Sequence, residues 1–285
     1  MNKSIVVLGS AGMAGHVIYK VLKEELKDFR IFDVARDSRF VNPSKCMDIK
    51  DFKTLEDYIE ELKPDFIINC IGLLNKSAEN FPDEAILINS YLPHFLESKT
   101  KNSSTKVIHI STDCVFSGSK GMYKEDDFRD ATGYYALTKA LGELNNNKDL
   151  TIRTSIIGPE LKSDGIGLFN WFMAQKGKVL GYKNAIWSGI TTLELAKKIV
   201  QIINNDQISG IIHLTNNIPI SKYEILLLLK KIFNRDEIEI VPDEYYVVNK
   251  SLLNTRDDFE CVIPDYFVMF TEMKDWIDKK MILSI

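Results

Sequence analysis

The sequence predicts an α/β fold built on a doubly wound, parallel sheet of the Rossmann type, and three observations carry that prediction. A short all-apolar run, Ile5-Val6-Val7-Leu8, breaks into Gly9-Ser10-Ala11-Gly12-Met13-Ala14-Gly15 and then into a segment of helical apolar spacing. Short apolar runs alternate with amphipathic stretches as far as residue 157, the order of strands and helices in a parallel sheet. The run Lys106-Val107-Ile108-His109-Ile110 delivers a hydroxyl pair, Ser111-Thr112, at its carboxyl end. That is the edge where open α/β sheets hold their ligands.

In chain order, His16 to Leu26 places apolar residues at Val17, Ile18, Val21, Leu22 and Leu26, which is a helix. A strand, a glycine turn and a helix in succession form the context of a dinucleotide fingerprint, here spaced Gly-x-x-Gly-x-x-Gly. Gly9, Ala11, Gly12, Met13 and Ala14 are therefore expected to border a pyrophosphate, which the free N–H groups of the helix start would bind. A second strand, Phe29 to Val34, ends beside Asp33 and Arg36, with Arg39 further on. Asp33 suits a ribose 2′-hydroxyl and NAD; the arginines suit a 2′-phosphate and NADP. NADP(H) is favoured and NAD(H) remains the alternative.

Asp48 and Ile49 precede an amphipathic helix from Asp51 to Leu62, capped by Asp51 or Thr54 and ended by Pro64. The strand Asp65 to Gly72 follows, and its exit should bring Cys70, Ile71 and Gly72 to the cofactor. A helix is expected over residues 83–100, with Asn89 as a structural hydrogen-bonder on it. The strand ending at Ser111 and Thr112 comes next, and Ser111 joins the expected cofactor contacts.

The segment Tyr134-Tyr135-Ala136-Leu137-Thr138-Lys139 reads as the start of a helix. Tyr135 and Lys139, four apart, lie about 40° from one another on one face, whereas Tyr134 falls about 140° from Lys139. Tyr135 is thus the candidate proton donor. A free phenol titrates at about 10, and a nearby ammonium is expected to lower it. Thr112 would bind a substrate carbonyl. Leu150 to Ile157 is the following strand.

Beyond it the pattern loosens. Gly165 to Gln175 is apolar and aromatic, Val179 to Trp187 extended, Thr191 to Ile203 helical, and Ile211 to Leu214 a strand. Ser221 caps a helix to Phe233, Ile238 to Val241 is extended, and a last helix covers residues 265–279.

The 285 residues carry a net charge of −4 and are 45% hydrophobic, which suits a globular protein of one large domain or of a domain with a smaller companion. That charge gives no overall attraction to nucleic acid. No apolar run approaches a membrane span and no signal peptide is visible, so a cytoplasmic protein without a membrane partner is expected. Cys46, Cys70, Cys114 and Cys261 are widely spaced and read as reduced thiols; neither they nor the histidines suggest a metal site.

Taken together, these motifs resemble the extended short-chain dehydrogenase/reductase superfamily, and within it the nucleotide-sugar reductases typified by dTDP-4-dehydrorhamnose reductase. The matches are Gly9/Gly12/Gly15, the block Ser111-Thr112-Asp113-x-Val115-Phe116-x-Gly118, Tyr135-x-x-x-Lys139 with Ala140-x-Gly142-Glu143, and Arg153. The resemblance implies a triad at Thr112, Tyr135 and Lys139, with the lysine also on the nicotinamide ribose. It implies an NAD(P)H-dependent reduction of a keto group, at C4 of a nucleotide-activated deoxysugar, in polysaccharide biosynthesis. Dehydratases of the superfamily follow the threonine with Asp-Glu, and here Cys114 replaces that glutamate. The rhamnose-type reductases carry an aromatic there, so this chain departs from both. An epimerase and a non-catalytic NAD(P)-binding regulator remain alternatives.

The family organisation implies a dinucleotide-binding domain over residues 1–157, with segments near 185–215 rejoining it. Residues 158–184 and 216–285 would form a smaller, discontinuous substrate-binding domain. Trp171 and Phe172 are candidates to line a sugar or base pocket, while Tyr245, Tyr246 and Trp276 are expected in packing and Lys176, Lys178 and Lys183 on a solvated face, with a position facing a substrate diphosphate as the alternative for these lysines. A homodimer is the superfamily habit.

Overall fold

The computed structural model of the protein describes residues 3–162, 165, 167–205, 207–259 and 262–280; Cys261 lies outside them. The chain opens with β1 (Ser4–Leu8), α1 (Met13–Glu25), β2 (Arg30–Ala35) and a two-residue β3 (Lys45–Cys46). Then come α2 (Phe52–Leu62), β4 (Phe66–Asn69), α3 (Asn75–Asn80), α4 (Pro82–Ala85), a π-helical turn over Ile86–Tyr91, and α5 (Leu92–Thr100). β5 (Lys106–Thr112), α6 (Tyr134–Leu141) and β6 (Leu150–Thr154) complete the amino-terminal half.

The central sheet gains one more strand from far along the chain. After β7 (Ile156–Ile157), α7 (Leu168–Met173), β8 (Gly177–Tyr182), β9 (Ala185–Trp187), β10 (Ile190–Thr191) and α8 (Thr192–Asn204), β11 (Gly210–His213) pairs with β6. The seven strands lie in the order β11-β6-β5-β4-β1-β2-β3, all parallel. Helices cover both faces, so the strands are buried on both sides and read as continuous apolar runs. The two-residue period is plain in β1. Ile5 and Val7 pack with Val17, Ile18 and Ile199 of α1 and α8, whereas Val6 and Leu8 pack with Leu55, Ile59 and Leu96 of α2 and α5.

Residue 154 marks a departure from the expected strand. The run to Ile157 splits at Ser155: β6 stays in the sheet, and β7 turns away to pair with β10. The Ser155 carbonyl accepts the Ile190 N–H at 2.9 Å, and a side chain on Gly189 would run into that carbonyl at 2.1 Å. The remaining elements are β12 (Ile220–Ser221), α9 (Lys222–Ile232), β13 (Ile238–Asp243), β14 (Val248–Asn249) and α10 (Tyr266–Lys280). β13 pairs with β8, while β12 and β14 flank β9, so residues 177–187 and 220–249 build two small sheets of their own. Ser221 caps α9 in a reciprocal box with Glu224, and Asp51, rather than Thr54, caps α2. Among the described residues no helix is long and apolar enough to cross a membrane.

Candidate active site

The glycine turn after β1 is shaped for close approach. Gly9 has φ +89°, a region that disfavours a side chain, and a Cβ there would meet Ile71 at 2.8 Å. A Cβ on Gly15 would fall 2.2 Å from the Gly9 carbonyl, so α1 can lie on the turn only as glycine. Gly12 precedes α1 with no side-chain cap, which leaves the first helical N–H groups available to an anion.

A cavity of about 330 Å³ opens over this turn. Its lining includes Gly9, Ala11 and Gly12 from the turn, Arg36, Asp48 and Ile49 from the β2 side, and Cys70, Ile71 and Gly72 from the exit of β4. Six expected contacts, Met13, Ala14, Asp33, Ser111, Tyr135 and Lys139, are not part of that lining. Asp33 is fully buried and its carboxylate accepts the Ser44 N–H and hydroxyl, both at 2.9 Å. It is therefore a link between β2 and the segment before β3, and Arg36, Asp37 and Arg39 occupy the cavity rim instead. Arg39 donates to Asp37 at 2.7 Å, and with Arg36 it holds that carboxyl down at about 2. Ser111 turns to the opposite side of β5, where its hydroxyl donates to Glu143 at 2.8 Å. Met13 and Ala14 begin α1 behind the turn, and the Met13 side chain is packed beside Gly167. Lys50, Leu73, Glu84 and Lys162 also line the cavity; nothing in their local sequence marks them, because the fold alone collects them.

β5 ends at Thr112, whose hydroxyl donates to Asp113 at 3.1 Å and accepts the Cys114 N–H at 3.1 Å. Tyr135 is the second residue of α6. That helix is capped from a distance: the Glu79 carboxylate accepts the Tyr135 N–H at 3.1 Å, and Gly133, at φ +94°, leaves room for it. Burial of the Tyr135 phenol pushes its pKa up, Cys114 and Asp113 add to the shift, and the hydrogen bond with Thr112 pulls it the other way. The expected lowering by Lys139 is absent. The Lys139 ammonium instead donates to the Ile110 carbonyl at 2.8 Å and stands 3.3 Å from His109 Nε2, close to Gly72 and the cofactor cavity. Burial lowers its own pKa to about 8 against the attraction of Glu143.

Asn89 lies in the π-helical turn and holds the loop after β4. Its amide accepts the Leu73 N–H at 2.8 Å and donates to the Leu73 carbonyl at 2.9 Å and the Thr138 hydroxyl at 3.1 Å. A side chain on Gly142 would stand 1.9 Å from the Asn89 carbonyl, so α6 and this turn are in backbone contact. Glu143, just past α6, is fully buried in a two-pronged pair with Arg153 at 2.7 and 2.8 Å. That contact accounts for two of the motif residues read from the sequence.

On the other side of Thr112 lies a second and larger cavity of about 750 Å³. It is walled by Trp171, Tyr182, Trp187 and Tyr246, floored by Asp113 and Cys114, and reached by Lys178, Lys222 and Lys250. Trp171 lines it, whereas Phe172 is core. Tyr246 lines it too, against the packing expected of it; Tyr245 is 96% exposed and Trp276 packs on the core. Cys114 and Lys250 also border the smaller space in which Tyr135 lies, so the phenol is placed where the aromatic cavity ends.

Residues 2–248 match the family model described as the RmlD substrate binding domain. The chain is 26% identical to the spore coat polysaccharide biosynthesis protein SpsK of Bacillus subtilis, over 77% of this chain and 76% of that one. It is 23% identical to methionine adenosyltransferase 2 subunit beta of Xenopus laevis, over 85% of this chain and 75% of the relative. Among solved structures, a hypothetical dTDP-4-dehydrorhamnose reductase from Sulfolobus tokodaii superposes with a TM-score of 0.73 at 28% identity, over 87% of this chain and 91% of that one. With its glycine turn, its Thr-Tyr-Lys set and this match over most of its length, the chain belongs to the RmlD substrate-binding-domain family.

Proposed function

We propose that the protein is an NAD(P)H-dependent reductase of a keto group, at C4, on a nucleotide-activated deoxysugar. The observation that carries this reading is that Tyr135 borders a space joined to the aromatic pocket at Cys114 and Lys250, while Lys139, one turn further along α6, stands beside Gly72 of the glycine-floored cleft. The cleft fits a dinucleotide: a glycine at positive φ, a helix start without a side-chain cap, and cations at the ribose end. When bound, that cofactor supplies a hydride. Thr112 would orient the substrate carbonyl, and Tyr135 would give its proton to the oxygen. Burial keeps the phenol protonated but makes it a weaker acid than a free phenol, so in this reading the approach of bound cofactor and substrate would have to bring its pKa down for the transfer. Lys139, beside Gly72, would hold the ribose and carry positive charge toward the reacting end. Arg36 and Arg39 favour the phosphorylated form, NADPH. Residues 158–184 and 216–285 serve as the substrate lobe in this reading.

The test follows nicotinamide oxidation with NADPH and NADH against dTDP-, UDP-, GDP- and CDP-linked 4-keto-6-deoxysugars. One sugar should be reduced, and Tyr135→Phe should lower turnover by about 10²–10⁴-fold while cofactor affinity holds. Near wild-type turnover in that variant would sink the assignment. The likeness to a beta subunit of methionine adenosyltransferase favours a second reading, a cofactor-binding subunit without turnover. Tight cofactor binding with no oxidation across the panel would support it. The intact Thr112/Tyr135/Lys139 set weighs against it, since a sensor has no use for a proton donor.

A further inference from the structure

His109 is a buried titratable ring to which the reduction chemistry gives no part. It lies in β5 directly across from Asn69 at the end of β4, and both side chains are fully enclosed. Asn69 Nδ2 stands 3.2 Å from His109 Nδ1, and His109 Nε2 stands 3.3 Å from Lys139 Nζ. The ring thus links β4 to the lysine of α6.

Its neighbours decide where the ring carries its proton. The Asn69 amide also meets the Ile71 N–H, at 3.1 Å, and a backbone N–H can only donate. The amide oxygen therefore faces Ile71, and the NH2 group faces the ring. Nδ1 must then be the bare nitrogen that accepts, and a neutral imidazole has its one proton on Nε2. The ring is neutral: burial and the charge on Lys139 hold its pKa well below the usual value, and His94 of α5 pushes the same way. Nε2–H accordingly points at Lys139. An ammonium has three donors and no acceptor, so two donors face each other across 3.3 Å. Only the amine form suits both neighbours, accepting from Nε2–H and donating to the Ile110 carbonyl at 2.8 Å.

The other groups around the lysine offset this only in part. Glu143, one turn further on, attracts the ammonium but is committed to Arg153. Cys70, at the β4 exit, stays a neutral thiol because burial pushes its pKa up to about 12. Burial likewise keeps the Tyr135 phenol neutral, and Asn89 spends its amide on Leu73 and Thr138.

We propose that His109, held by Asn69 with its proton on Nε2, is a positioning residue that turns an N–H rather than a lone pair toward Lys139 and so loosens the lysine's hold on its own proton. Asn69 and His109 then set the pH above which the cleft beside Gly72 loses its cation. The rate measurement below rests on the reductase reading; the place of the ring proton does not.

The test begins with two-bond 1H–15N correlation spectra of the 15N-histidine protein, which tell a bare ring nitrogen from a protonated one. The chain has four histidines, and the signal missing from His109→Gln is that of His109. Nδ1 should be bare and Nε2 protonated; a proton on Nδ1 overturns the proposal. Asn69→Asp keeps an acceptor for Ile71 but can only accept from the ring, so the proton should move to Nδ1 and the Nε2 lone pair should face the ammonium. Asn69→Leu removes the donor without adding a charge, and melting temperature reports the folding of both variants. In wild type the alkaline limb of kcat/KM should fall near the lysine's pKa of about 8, and in both variants it should move up by about one pH unit. A limb that stays in place in Asn69→Asp after its ring has switched overturns the proposal, as does a shift in Asn69→Asp that Asn69→Leu does not share. If no keto sugar is reduced, the same limb is read in the pH dependence of NADPH affinity, so failure of the reductase reading leaves this test standing.

Discussion

At the residue scale, Lys139 is costly to the fold. Its ammonium is 4% exposed and has exchanged water for one carbonyl and a neutral imidazole. With a folded pKa of about 8 against 10.5, the unfolded chain binds a proton between those values that the folded one does not. Stability therefore rises with pH across that window, and below about 8 the full penalty, about 3 kcal/mol, is present. Lys139→Met should consequently melt no lower than the wild type at pH 7, with an advantage that shrinks between pH 8 and 10.5. Its turnover should be lost, and wild-type turnover should fall as pH rises through about 8. Thermal melts across pH test this; a gap that does not change with pH would mean that Lys139 does not titrate there. The four-residue spacing of Tyr135 and Lys139 is legible in the sequence because both stand on α6, whereas the interaction expected between them is not made: the ammonium turns to the Ile110 carbonyl instead. Of the two expected ribose contacts, Arg36 lines the cavity and Asp33 does not, because Asp33 is buried within β2 and bonded to Ser44, a partner eleven residues away that local sequence does not mark.

At the scale of the element, α6 owes its place to Gly142. A methyl there would stand 1.9 Å from the Asn89 carbonyl, and backbone cannot yield as a side-chain end can. Gly142→Ala should cost about 1–3 kcal/mol in urea unfolding and also depress kcat/KM, because α6 carries Tyr135 and Lys139. Gly177→Ala is the control: its φ of +70° is strained for alanine, but nothing lies within 4 Å, so the cost should stay at about 1 kcal/mol and turnover should be unchanged. Equal losses from both would remove the packing argument. The helix over residues 83–100 was foreseen as one unbroken piece, whereas it is α4, a π-helical turn and α5. One extra residue in a turn leaves the apolar spacing nearly intact, so periodicity could not expose the turn that puts Asn89 against Leu73. The sheet strands were legible because both their faces are apolar. The small sheets at residues 177–187 and 220–249 were only partly so, since their partners lie far apart in sequence.

For the whole molecule, the Glu143–Arg153 pair ties the end of α6 to the sheet. Ser111 of β5 donates to the carboxylate, Arg129 reaches it at 3.0 Å, and the Arg153 guanidinium also donates to the Glu125 carbonyl at 2.9 Å. Glu125 in turn accepts the His213 N–H of β11 and the Thr255 hydroxyl, so one network, buried at Glu143 and Arg153 and reaching the surface at Thr255, spans the sheet and the carboxyl-terminal segment. Removing one member leaves the other charge buried without its partner. Glu143→Ala should lower stability by about 3–5 kcal/mol and still unfold in a single transition. A change under 1 kcal/mol would mean that water or Asp side chains replace the carboxylate.

The placement of β11 beside β6 also bears on how the chain is made. Until residues 210–213 leave the ribosome, β6 forms the rim of the sheet, a fully buried strand of the finished protein with its outer hydrogen-bonding groups exposed. About 55 residues separate the two strands, which at about 5–20 residues per second is several seconds of synthesis. The nascent chain thus passes through a stage in which an apolar edge can pair with any passing strand, and its yield in cells depends on how that interval is covered.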